Sequence, residues 1–263
     1  MITADREKCI KCNKCISVCP FTALEKSSEG WPMAVEGKLC LKCMHCAAIC
    51  PAEAMAYNDE SAIIPDEAVI KLPDGFSDDL SAHVMQRRSY RHFIDKPVDE
   101  ELIKEVLNTS RWAPSAKNQH PAKYIVINSK DIMKKMMNII LDYVKFTGVN
   151  PEIVSEFEAG NNVVLGDAHT LLIAYARDNA INPSGDTYIA MANIELLFQA
   201  RGVGTCWCGY FTRFLNLIPD LRALLPDIPA GNSFYASFML GYPKDEDYGH
   251  IPERLKKADI KWV

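Results

Sequence analysis

Eight of the chain's ten cysteines fall in two short strings, CIKCNKCISVCP from Cys9 and CLKCMHCAAICP from Cys40. Both strings have the form C-x-x-C-x-x-C-x-x-x-C-P. Two-residue gaps let successive thiolates turn toward one centre while the intervening amides donate hydrogen bonds to its sulfurs, and this stabilises added electrons. Thiolates at that density and spacing are ligands for iron–sulfur clusters of the 4Fe-4S type. Three cysteines of each string form one corner. The fourth, Cys19 or Cys50, stands one residue further out and precedes proline, which biases its backbone toward an extended course away from that corner. One cluster is therefore expected on Cys9, Cys12, Cys15 and Cys50, and the second on Cys40, Cys43, Cys46 and Cys19. A zinc ribbon would take four tetrahedral ligands from paired C-x-x-C knuckles and does not need the third closely spaced cysteine.

The repeat resembles the two-cluster bacterial ferredoxin domain along residues 1 to about 57. That resemblance implies two short helices and small β-hairpins wrapped around two 4Fe-4S clusters. Few apolar residues are needed there, because the metal sites hold the segment together. The acidic stretch NDESAIIPDEAVIKLPDGFSDD follows, with Pro65 and Pro73 and no sustained helical period, and it reads as a linker over residues 58–79.

The rest of the chain is long enough for one ordinary domain, residues 80–263, and the 48% hydrophobic composition supplies its core. A net charge of -5 leaves no basic footprint for nucleic acid. The opening MITADREKC lacks the apolar centre of a signal peptide, and no apolar run reaches the roughly 18 residues of a membrane span. Regular cysteine spacing without either signal suits a reducing cytoplasm, where structural disulfides are disfavoured.

Helices are expected at SDDLSAHVMQRR, capped by Ser77 with Asp78 and Asp79 in the first turn, and at KPVDEELIKEVLNTS, DIMKKMMNIILDYVKF, PEIVSEFEAGNNVV and DTYIAMANIELLFQA. Strands are expected at KYIVIN, TLLIAYA and SFYASFML. The class is α+β, a sheet covered by helices. Met133, Met136 and Met137 fall at helical spacing and belong to the core.

Two further stretches carry chemistry. RRSYRHF groups Arg87, Arg88, Ser89 and Arg91, whose guanidinium forks and hydroxyl suit a phosphate, although a run of arginines equally suits a solvated face. WAPSAKNQHPAKYIVI is a loop between a helix and a strand, broken by Pro114, Ser115, Asn118 and Pro121. Together with GVGTCWCGYF at Gly202–Phe211 and IPER ending at Arg254, these stretches resemble the flavin-dependent nitroreductase family from about Met85 to the C-terminus.

The resemblance implies a homodimer that binds FMN at the subunit interface. Arg87, Arg88 and Ser89 would face the phosphate and ribityl end, Arg91 the pyrimidine edge, and Arg254 the phosphate. Pro114, Ser115, Ala116 and Asn118 would come from the other subunit, and the backbone at Cys208 and Gly209 would approach flavin N5. The chain departs from the family pattern at His120, where glutamine is usual, and at Ala122, where tryptophan is usual. Cys206 and Cys208 read as small buried apolar residues, with a redox-active thiol as the alternative. Gly202, Gly204 and Gly209 lack the spacing of a Rossmann fingerprint, so no separate nicotinamide domain is expected. No side chain stands out as catalytic.

One-electron clusters joined to a cofactor that delivers electron pairs make an oxidoreductase, fed by ferredoxin or NAD(P)H and reducing a small-molecule acceptor such as a nitro compound. The alternatives are an electron carrier serving a partner enzyme, or other reductive flavin chemistry such as dehalogenation or flavin cleavage.

Overall fold

A computed structural model describes residues 2–57, 60–61, 71–244 and 248–263. Most of the expected linker therefore lies outside the described residues. The chain divides into two compact units, Met1–Asp74 with Lys117–Gln119, and Gly75–Ala116 with His120–Val263.

The first unit repeats one backbone course twice. Its elements are β1 (Ile2–Ala4), α1 (Lys14–Ser17), β2 (Leu24–Lys26), β3 (Pro32–Ala34), α2 (His45–Ala48), β4 (Met55–Tyr57) and β5 (Glu60–Ser61). β1 pairs antiparallel with β4, and β2 with β3. Each helix starts after a left-handed residue, Asn13 with φ 60° and Met44 with φ 58°. Lys11 and Thr22 in the first copy match Lys42 and Glu53 in the second, all at positive φ. Left-handed backbone costs a residue other than glycine about 1–2 kcal/mol, so six such residues in register point to something that requires the turn. The apolar core is small, built on Ile2, Cys15, Leu24, Ala47 and Met55.

In the second unit, α3 (Phe76–Gln86) and α4 (Glu100–Thr109) precede β6 (Lys123–Ile127) and α5 (Lys130–Thr147). Then come α6 (Glu152–Glu158), β7 (Thr170–Arg177), α7 (Pro183–Gln199), β8 (Gly204–Trp207), α8 (Gly209–Leu217), α9 (Pro219–Arg222) and β9 (Asn232–Gly241). The four strands form an antiparallel sheet in the order β6-β7-β9-β8. Both faces are covered. Leu171 and Ile173 of β7 pack with α5 and α8, whereas Leu172 and Ala174 face α4 and α7. This double burial makes β7 an almost unbroken apolar run. A bulge opposite Ala174/Tyr175 lets Phe234 of β9 join the α5 side even though Ala236 and Phe238 face α7.

α5 follows from its sequence: Met133, Met136, Met137, Ile140, Leu141 and Val144 recur every three or four residues and are all buried. Ser129 caps its start by accepting from Ile132 N, and Gly148 at φ 69° closes its end. Some boundaries differ from expectation. α3 begins at Phe76 with Gly75 as its cap, at φ 82°, and Ser77 lies inside the helix. α7 starts three residues before Asp186, because Pro183 fits the first helical position, where its missing N–H is no loss. α6 ends at Glu158, short of Val164, with Gly160 at φ 88° just beyond. β8 and α8 were not expected as elements. Among the described residues no helix is long and apolar enough to cross a membrane.

Candidate functional site

None of the eight clustered cysteines forms a disulfide. The fold brings Cys19 to one cavity with Cys40, Cys43 and Cys46, lined also by Ile2, Leu24 and Leu39. Burial pushes the Cys15 thiol above its ordinary value, and the sulfurs of Cys50 and Cys12 add to the rise. Burial likewise pushes Cys46 up to about 11, with Cys43 and Cys15 contributing. Thiolates crowded in this way would repel one another unless a cation stood among them. Amides already face the sulfurs: Ala23 N donates to Cys19 Sγ at 3.2 Å, Ala54 N to Cys50 Sγ at 3.3 Å, and Lys11 N to Cys9 Sγ at 3.4 Å. Among the described residues no three potential ligands converge on a single metal ion. In the second string the sulfurs border a cavity instead, an arrangement suited to a multi-iron cluster.

In the second unit the arginine stretch leaves α3 in extended conformation and runs along β8, with Tyr90 N donating to Thr205 O at 2.9 Å. Gln199 of α7 grips the Arg88 peptide from both sides: its Oε1 accepts from Arg88 N at 3.1 Å and its Nε2 donates to Arg88 O at 2.7 Å. A pair of glycines makes room for the two aromatic residues of the stretch. Gly204 and Gly241 are opposite partners in β8 and β9. A Cβ on Gly204 would lie 2.9 Å from the Tyr90 side chain, and one on Gly241 would lie 2.6 Å from Phe93 Cδ1.

The arginines differ in their surroundings. Arg87 Nη1 lies 3.2 Å from Glu195 Oε1. Arg88 donates to the carbonyls of Met85, Arg87 and His250. Arg91 donates to Ser89 O and lines a polar cleft with His92, Asn161, Asn162 and Asp167. Arg254 is exposed in the C-terminal segment. Arg87 and Arg91 line different clefts, and among the described residues only Arg87 of the three arginines pairs with a carboxylate.

The remaining expected residues lie elsewhere. Pro114 and Ser115 line a cleft of about 330 Å³ with Arg111, His120, Tyr124 and Asp186. Asp186 Oδ1 accepts from Ala116 N at 2.9 Å, and Ser115 Oγ from His120 N at 2.9 Å. Asn118 belongs to the first unit, where its Nδ2 donates to the Leu41 and Lys42 carbonyls. Cys208 and Gly209 line another cleft with Tyr188, Trp207 and Thr212. Cys206 and Cys208 are buried, as expected of small apolar residues, and burial holds the Cys208 thiol well above the ordinary thiol range. Within one chain, then, Arg91, Ser115 and Cys208 line three different clefts.

Sequence reading missed Glu195, Gln199, Thr205 and Asp186. The available signal was their polarity: Glu195 and Gln199 sit one turn apart in IAMANIELLFQA, where Asn193 is the one other polar residue.

A family model described as the nitroreductase family matches residues 84–242, and one described as a 4Fe-4S dicluster domain matches residues 1–61. A relative from Archaeoglobus fulgidus, provisionally named as an NADH dehydrogenase/NAD(P)H nitroreductase, is 30% identical over 68% of this chain and 96% of its own length. The 5,6-dimethylbenzimidazole synthase of Rhodospirillum rubrum is 27% identical over 68% of this chain and 87% of its own. Among solved structures, a Bacteroides fragilis nitroreductase with bound FMN is similar with a TM-score of 0.60 at 18% identity, covering 70% of this chain and 98% of that one.

Proposed function

The chain belongs to the nitroreductase family, and from that membership we propose that it is an FMN- and iron–sulfur-dependent oxidoreductase carrying two 4Fe-4S clusters on residues 1–57 and FMN on residues 80–263. The observation that carries this reading is the presence on one chain of both matched parts, residues 1–61 and 84–242. Bound clusters would carry single electrons, and bound FMN would collect them and pass them in pairs to a small acceptor. What the chain itself contributes is placement. Cys9, Cys12, Cys15 and Cys50 hold one cluster, and Cys40, Cys43, Cys46 and Cys19 the other. The amides of Lys11, Ala23 and Ala54 offset charge on ligand sulfurs. Arg87, Arg88, Ser89 and Arg254 bind the phosphate and ribityl end. Arg91 stands at the pyrimidine edge, where positive charge favours an added electron pair.

A homodimer accounts for the scattered clefts. Pro114, Ser115, Ala116 and Asn118 of one copy would complete the site formed by Arg91, Cys208 and Gly209 of the other. In support, α3 buries none of its own residues and leaves Leu80, Val84 and Met85 about half exposed at 46%, 50% and 52%. The electron donor is ferredoxin or NAD(P)H, the second favoured by the name of the Archaeoglobus relative. The acceptor is a nitro compound or another small molecule, since relatives of comparable similarity carry different named activities. Oxygen-sensitive clusters ligated by cysteine suit a reducing cytoplasm.

Stopped-flow flavin reduction tests the reading with the Cys43→Ser variant, iron content checked throughout. Reduction by reduced ferredoxin slows in the variant while FMN affinity changes little, because every proposed FMN ligand except Asn118, which donates to the Leu41 and Lys42 carbonyls, lies in the second unit. Equal ferredoxin-driven rates in parent and variant overturn the relay. Absence of acceptor turnover by the purified protein would favour a pure electron carrier.

A further inference from the structure

Glu195 sits in the middle of α7 and is 6% exposed. A carboxylate so placed needs partners to offset its desolvation, and it has three. Oε1 faces Arg87 Nη1 at 3.2 Å and Thr205 Oγ1 at 3.4 Å, while Oε2 accepts from Trp207 Nε1 at 3.1 Å. One turn later Gln199 holds the Arg88 peptide and donates to Thr205 Oγ1 at 2.7 Å. If only the gap between α7 and β8 had to be filled, an apolar residue would do so with less desolvation. The ion pair instead acts on a residue that remains accessible: the Arg87 side chain is 29% exposed and lines an open cleft with His83, Tyr90 and Gly204.

We infer that Glu195 is a positioning residue, which fixes the Arg87 guanidinium to receive a phosphate monoester and links that grip, through Trp207, to the end of β8 that leads into Cys208 and Gly209. A free arginine side chain samples many rotamers, and each must be given up when it binds. One already held at a guanidinium nitrogen loses less on binding. The inference rests on the reading that Arg87 faces the FMN phosphate, so the test separates the two.

FMN and riboflavin, which lacks the phosphate, are titrated into flavin-depleted full-length protein and followed by flavin fluorescence. Arg87→Ala should weaken FMN by about tenfold, the size of one charge-assisted contact, and leave riboflavin unchanged. Glu195→Gln keeps the shape and loses the charge. It should weaken FMN several-fold, spare riboflavin, and add little in the Arg87→Ala background. Unchanged FMN binding in Glu195→Gln overturns the inference, as does equal loss of FMN and riboflavin or a factor that multiplies fully in the double variant. If Arg87→Ala itself leaves the preference for FMN intact, the assignment of Arg87 to the phosphate fails, and the inference fails with it. Should Glu195→Gln not fold, Glu195→Asp carries the test, since it keeps the charge but shortens its reach by one methylene. Loss of FMN with riboflavin spared supports the inference, and parallel effects on both overturn it.

Discussion

Cys19→Ala should strip the cluster held by Cys40, Cys43 and Cys46 and leave the one held by Cys9, Cys12 and Cys15. In the structure Cys19 shares a cavity with the second string, whereas Cys50 is among the sulfurs that raise the Cys15 thiol. The direct cost to the fold is small. The substitution removes a half-exposed thiol and the 3.2 Å hydrogen bond from Ala23 N, a loss of about 1 kcal/mol. The effect on metal content is large, a fall from about eight to about four iron atoms per chain. Iron and acid-labile sulfide are counted after anaerobic purification, and a second substitution identifies the cluster that was lost. Adding Cys40→Ala to Cys19→Ala should remove no more iron, because both ligands serve the same cluster. Adding Cys12→Ala should remove the remaining four or so. The reverse outcome, with Cys12→Ala neutral and Cys40→Ala decisive in the Cys19→Ala background, refutes the crossed arrangement. Zinc in place of iron refutes the cluster assignment altogether.

Gly241→Ala places a methyl group 2.6 Å from Phe93 Cδ1, and because Phe93 is 3% exposed the ring has nowhere to retreat. The expected loss is about 1–3 kcal/mol in thermal or urea unfolding, together with weaker FMN binding, because Phe93 anchors the arginine stretch; unaltered stability would show that the close approach is relieved at no cost. Burial raises the Cys208 thiol, so its reactive thiolate is depleted at neutral pH and forms only well above the ordinary thiol range. Iodoacetamide at pH 8 should therefore label Cys208 only after denaturation, and rapid labelling of the native protein would count instead for a redox-active thiol.

What could be read in advance divides according to how local the physics is. The cysteine strings were legible because ligand spacing is a property of a dozen consecutive residues, and the matching left-handed residues Lys11, Asn13, Lys42 and Met44 show the backbone shaped to that spacing. α5 was legible for the same reason, its period being written in one uninterrupted segment. β8 was not, because GTCW holds a glycine and a cysteine where β-branched residues would mark a strand, and its strand character comes from pairing with β9, about thirty residues away. Gly204 looked like a poor fragment of a nucleotide fingerprint; its actual role is to admit Tyr90, which no local pattern encodes. Glu195 is the sharpest case. Nothing near it in sequence explains a buried carboxylate in the middle of α7, because Arg87 lies 108 positions earlier. A polar residue that breaks an apolar pattern is therefore a question about which distant charge the fold brings to it, and here that charge belongs to the stretch read from sequence as a phosphate ligand.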